Sequence, residues 1–136
     1  MGRMSSLHDP TQVTSGSSVV PASRNGGSSN ADVNGSAIDL RGKRGALFTM
    51  HLGALTGAAA VAARIQTGDN PDDSANANWT NVNYTLHSNA RITNQNTASS
   101  TFEMSYVPAV GGSNQVRAVL TAEANVSLAS ISHIVY

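Results

Sequence analysis

From residue 37 onward the chain falls into short runs in which apolar and polar positions alternate, separated by clusters of turn-forming residues. A period of two puts alternate side chains on opposite faces of extended chain, so this half-and-half pattern predicts strands with one buried face. Six strands are predicted, over residues 46–53, 61–67, 82–86, 102–107, 115–121 and 126–136. In the first, Phe48, Met50 and Leu52 alternate with Leu47, Thr49 and His51; in the second, Val61, Ala63 and Ile65 alternate with Arg64 and Gln66. Residues 54–59 read as a hairpin link. The alanines of 58–63 are also compatible with a helix, and the strand beginning at Val61 is the reading adopted. Residues 69–78, rich in Asp, Asn and Pro, form a loop by turn chemistry alone. Trp79 closes that loop and is expected to cap one end of a core, while residues 111–114 read as a hairpin turn before the fifth strand. Regular short strands without helical patterning predict an all-β fold, an antiparallel β-sandwich or jelly-roll-like barrel, over residues 37–136.

Residues 1–36 show neither period. They are rich in Ser, Gly and Asn and read as an extended or flexible N-terminal arm, with Val13, Val19, Val20 and Pro21 making short extended pieces able to order along a neighbouring subunit. With no core pattern, the arm is expected to serve attachment, so that removing residues 1–30 leaves the fold intact. The start of the chain has no apolar core of signal-peptide length and no stretch suited to a membrane span, which predicts a cytosolic product without an anchor.

Composition sharpens this picture. Nineteen Ala, eighteen Ser, thirteen Asn, twelve Gly and eleven Thr stand against one Lys and two Glu, the opposite of what the outer faces of helices require. Eight basic residues balance eight acidic ones, so no field exists to hold a nucleic-acid backbone or an anionic membrane. A polar, nearly uncharged surface is cheap to desolvate against another protein, which suits permanent assembly. Attachment of such a surface is expected to rest on shape and apolar burial and to respond little to salt.

Candidate chemistry is sparse. Zero cysteines exclude disulfides, thiolate metal sites and a cysteine nucleophile. His8, His51, His87 and His133 lie in four separate segments without metal-ligand spacing, and His51 and His133 read as hydrogen-bonded interior or interface residues. Asp69, Asp72 and Asp73 lack the glycine and terminal glutamate of a calcium loop and read as a hairpin loop. No nucleophile elbow, phosphate loop or carboxylate pair stands out, so no enzyme activity, cofactor or metal is expected. Arg41, Lys43 and Arg44 hold three basic residues within four positions; they read either as a solvated turn or as a patch that docks on an acidic strip of a partner.

The order of these features resembles that of a group of small virion proteins of tailed bacteriophages. The features are Ala37-Ile38-Asp39-Leu40-Arg41-Gly42, then the apolar strand 46–53 with Ala54-Leu55-Thr56-Gly57, Ala63-Arg64-Ile65-Gln66, Asp72-Asp73 through Trp79-Thr80-Asn81-Val82, and Gln115-Val116-Arg117-Ala118-Val119. The chain departs from the pattern where Asn114-Gln115-Val116 stands in place of a common tyrosine, and in the longer loop before Trp79. The resemblance implies a capsid decoration or cement subunit that bridges capsomers on the head surface. It implies the major capsid protein and copies of the chain itself, in a homo-oligomer such as a trimer, as partners, with no nucleic acid and no membrane. Arg41, Lys43, Arg44, Val13, Val19 and Val20 are then the capsid-contact candidates. The alternative is a carbohydrate-binding sandwich of a head fibre or tail, with Trp79, Tyr84 and Tyr106 as stacking residues.

Overall fold

The computed structural model describes residues 13–24, 31–55, 60–97, 99–122 and 126–136. Ten strands run along them: β1 (Thr14–Arg24), β2 (Ala31–Asn34), β3 (Ile38–Asp39), β4 (Ala46–Leu52), β5 (Val61–Gly68), β6 (Trp79–Asn81), β7 (Arg91–Gln95), β8 (Ser100–Tyr106), β9 (Gln115–Ala122) and β10 (Val126–Val135). One 3₁₀ turn, Ser74–Asn76, lies in the loop between β5 and β6. Among the described residues no helix is long and apolar enough to cross a membrane.

The strands form two antiparallel sheets. Sheet A has the order β1-β10-β4-β8; in sheet B, β2 and β3 pair in succession with one side of β9, β9 pairs with β5, and β6 and β7 share the far side of β5. Counting β2 with β3, and β6 with β7, as single interrupted strands leaves eight, and they pair first with eighth, second with seventh, third with sixth and fourth with fifth. A chain folded back on itself as one long hairpin and then rolled up gives this pairing, which is the jelly roll. The predicted fold class is therefore the fold observed.

The alternation that predicted β4 sets its packing, with Ala46, Phe48, Met50 and Leu52 buried and the residues between them half-buried. Phe48, Met50, Ile65, Met104, Leu120 and Ile131 fill the space between the sheets, and Leu40 closes one end. Tyr106 seals the same end, its hydroxyl donating to the Ser113 carbonyl. Sheet A's edge at β8 is partly covered where the Ser105 N–H donates to the Asn89 carbonyl.

Several expectations are corrected. The arm does not extend to residue 36, because β1 is a full edge strand of sheet A, in register with β10 from Thr14↔Val135 onward, and β2 lies on β9. Val19 is 2% exposed and belongs to the core, so it is not a surface contact. Residues 1–12 and 25–30 of the expected arm lie outside the described residues. The irregular register of β1, with shifts on both sides of Val19, explains why no period of two was visible there.

The links read as hairpins after β4 and before β9 join strands of opposite sheets, since a jelly roll sends successive strands across the core; residues 56–59 of the first lie outside the described residues. Gly111 does take the left-handed conformation a turn requires, at φ 78°. The strand expected at 82–86 is a turn, held by the Asn83 carboxamide oxygen accepting from the Thr85 N–H, and β6 and β7 flank it. The loop 69–78 is a true hairpin between paired strands, as read.

One glycine stitches the sheets together at their open edge. The Gly35 N–H donates to the Ala118 carbonyl of β9 at 2.7 Å, and the next N–H, of Ser36, donates to the Ser18 carbonyl of β1 at 3.0 Å. A Cβ on Gly35 would sit 2.7 Å from the Ala118 carbonyl oxygen.

Candidate functional site

Arg41, the first residue of the basic cluster, is tied by its side chain to its own chain. Arg41 follows β3, and its guanidinium grips Asp39 through Nε and an NH2 bond of 2.7 Å, then reaches Asp72 of the β5–β6 loop, also at 2.7 Å. The side-chain hydrogen bond from Arg41, followed by the Arg41 backbone N–H, holds the Asp39 carboxyl below its usual range. Both carboxylates raise Arg41 in turn. Arg41 therefore pins two loops together and has its charge balanced locally. Lys43 and Arg44 continue the turn, with the Arg44 N–H donating to the Tyr136 carbonyl at 2.6 Å. The acidic loop is likewise closed on itself: Asp69 accepts from the backbone and side chain of Asn78, and Asp73 accepts from the Asn76 side chain. Among the described residues no group of His, Asp or Glu is placed to hold a metal ion.

Other candidates separate in space. Val13 lies beside the first pair of β1, while Val20 sits farther along the strand, 68% exposed. Four strands cross the Val13 end of sheet A, in the row Thr14↔Val135↔Ala46↔Tyr106 and, one step in, Ser15↔Ile134↔Leu47↔Ser105. Val107 and Val110 follow Tyr106, and both are exposed, as are Val13 and Ile134. Arg41, Lys43 and Arg44 border this end through the contact with Tyr136. The fold thus gathers Val13 and the basic turn at one end of the sandwich, beside an apolar rim that the sequence reading did not single out. Its signal was the run Val107-Pro108-Ala109-Val110, apolar beyond the end of a strand.

The outer face of sheet B is the second feature the sequence reading missed. Arg64 Nε donates to Asn81, one of its terminal nitrogens donates to Thr121 and the other to Asp32, each at 3.0 Å. Asn81 also accepts from Gln66, which accepts from Arg117 Nε at 2.9 Å. Hydrogen bonds from Arg64, then Thr121, lower the Asp32 carboxyl. Desolvation, then the charge of Arg64, lowers Arg117. Beneath this net Val119 is fully buried although it faces away from the core, shielded by the long side chains beside it.

Trp79 belongs to this outer face and does not cap the core as expected. It pairs with Gly68, where a Cβ would come within 3.0 Å of the indole, and the Arg117 guanidinium lies 4.4 Å over the ring. Arg91 covers Tyr84 in the same way at 4.6 Å. Tyr106, the third stacking candidate, is buried against His87. The signal for this face was arginine at the polar positions of alternating strands, Arg64 and Arg117.

His51 and His133 are hydrogen-bonded on neighbouring strands, as read. His51 Nε2 is 3.2 Å from the Ser132 hydroxyl, and His133 Nδ1 is 2.7 Å from the Ser18 hydroxyl. Burial lowers the pKa of His133, which meets Phe48 edge-on.

No known protein family matches the chain, and no curated protein does. Among solved structures it is similar to the SPBc2 prophage-derived protein YomS, with 11% identity over 90% of this chain and 91% of that one and a TM-score of 0.47. It is also similar to chains in the structures of two infectious bursal disease virus strains. The Gx strain chain shows 7% identity and a TM-score of 0.48, and the Gt strain chain 9% and 0.47; each match covers 90% of this chain and 31% of the other.

Proposed function

We propose that this chain is a non-enzymatic structural protein of a bacteriophage particle, a capsid decoration or cement subunit that bridges neighbouring capsomers on the head surface. The observation that carries this reading is the apolar rim at one end of sheet A, where four of the seven exposed large hydrophobics among the described residues, Val13, Val107, Val110 and Ile134, are found. Exposed apolar side chains gathered in one place mark a surface that another protein covers. Repetition over a symmetric lattice turns a modest patch into firm attachment. The jelly roll suits the task, since it presents a rigid end from which loops project, and it recurs in capsid domains. The sugar-binding alternative loses its platforms: guanidinium groups occupy one face of Trp79 and of Tyr84, and Tyr106 is buried.

A variant with Val107, Val110 and Ile134 all changed to Ser tests this reading. It is expected to keep its melting temperature within about 2 °C, as surface changes do, and to stop co-sedimenting with capsids that lack the protein. The parent chain is expected to stay bound from about 0.1 to 1 M salt, where the Debye length shrinks from about 10 to 3 Å. Sedimentation of the variant at parental levels would remove the rim from the interface, and release of the parent by salt would shift attachment to Arg41, Lys43 and Arg44.

A further inference from the structure

The register of sheet B sets two arginines directly opposite one another. Arg64 of β5 pairs with Arg91 of β7, so their side chains leave the same face from adjacent strands. Like charges in this position repel, and strands ordinarily avoid them. Arg64 is compensated by Asp32 and held by two neutral oxygens, and its side chain is 26% exposed. Arg91 is exposed and lies over the Tyr84 ring, and among the described residues its guanidinium meets no carboxylate. Arg117, whose charge acts on the same neighbourhood through Arg64, adds a third guanidinium to the face. Among the described residues, three cations and one carboxylate therefore share this surface, on a chain whose total formal charge is zero.

Between the two opposed arginines lies a cleft of about 190 Å³, lined by Ala62, Tyr84, Thr93 and Thr121 and by Ala63 and Ile92, which also belong to the core. Its volume is below the range of ordinary small-molecule sites. It matches a single short side chain. A guanidinium offers five N–H donors in a fixed fork that fits a carboxylate. Arg64 spends three of these on Asn81, Thr121 and Asp32, which fixes the orientation of the rest.

We propose that this cleft receives one carboxylate side chain, an aspartate or glutamate of a partner protein, clamped between Arg64 and Arg91 with its methylene stem against Ala62. The incoming charge relieves the repulsion between the two arginines, and the preset Arg64 fork lowers the ordering cost of binding. The site is on the outer face of sheet B, away from the apolar rim on sheet A, and it stands whether or not the rim holds a capsid.

Titration of the isotope-labelled full chain with N-acetylglutamate, followed by NMR, tests it. The expected result is saturable shifts of the amides of β5 and β7 and of the Arg64 and Arg91 Nε–H groups, weakened at least tenfold by 1 M salt. N-acetylglutamine is expected to give none. Arg91→Gln is expected to lose the response with its melting temperature changed by less than about 2 °C, and Arg91→Lys to recover part of it. Equal shifts from glutamine, or none from glutamate, would overturn the site. Tighter saturation by glucuronate than by N-acetylglutamate would overturn the protein source in favour of an acidic sugar. Loss of capsid attachment in the rim variant leaves this titration unchanged, so the two readings fail separately.

Discussion

At the scale of single residues, the positions with least freedom are those where two sheets or two charges meet. Gly35 has backbone on both sides, so Gly35→Ala has no flexible neighbour to displace and is expected to cost about 1–3 kcal/mol, seen as a lowered urea midpoint with an unchanged slope. His133 makes stability depend on pH. Its imidazolium is disfavoured by burial in the folded chain, while the unfolded chain takes up a proton at the ordinary value of 6.5. The unfolded state thus binds more protons as pH falls, and the contribution of neutral His133, complete above 6.5, is lost below it. Thermal melts between about pH 7.5 and 5 are expected to show a decline that is shallower in His133→Gln; an identical decline would assign it to other groups. Some of these roles were legible and others were not. Phe48 and Met50 stood out because alternation is strict around them, whereas Val19 sits in a Ser/Gly-rich stretch whose bulges break the period that would have marked it as core.

At the scale of elements, β1 changes the meaning of the first third of the chain. It covers one whole side of β10, and its removal exposes that strand's hydrogen-bonding edge and takes Val19 from the core. Deleting residues 1–30 is therefore expected to abolish the cooperative thermal transition, the reverse of what the sequence implied, and a truncated chain melting like the parent would restore the arm. The strands that were read correctly, β4, β5, β8, β9 and β10, are those whose inner and outer positions alternate over seven residues or more. β2, β3, β6 and β7 escaped because each is five residues or fewer, too short for a period to register, and each is fixed by a long neighbour instead. The outer face of sheet B was hidden for a related reason. Arg64 and Gln66 were visible as polar positions, but that Arg91 stands opposite Arg64 follows from pairing with a strand that had not been recognised.

At the scale of the whole molecule, fold class was legible while connectivity was not, because a glycine-rich turn looks the same whether it joins neighbours in one sheet or leaps between two. The pairing of the first described strand with the last has a consequence for biosynthesis. While the chain is being made, β1 leaves the ribosome more than a hundred residues ahead of the segment it must lie against, and β9 likewise follows β2 by some eighty. Among the described residues only the hairpin of β5 and β6 is local. Closure of such distant pairs is slow, on the scale of milliseconds to seconds. The nascent chain thus carries β1 as an unmatched ribbon until β10 has been made. A stretch in which Ser, Gly and a single inward valine replace a continuous apolar run is well suited to that wait, since it offers passing chains little to adhere to. The low hydrophobicity that disguised β1 as a linker is what limits its adhesion to other chains until β10 arrives.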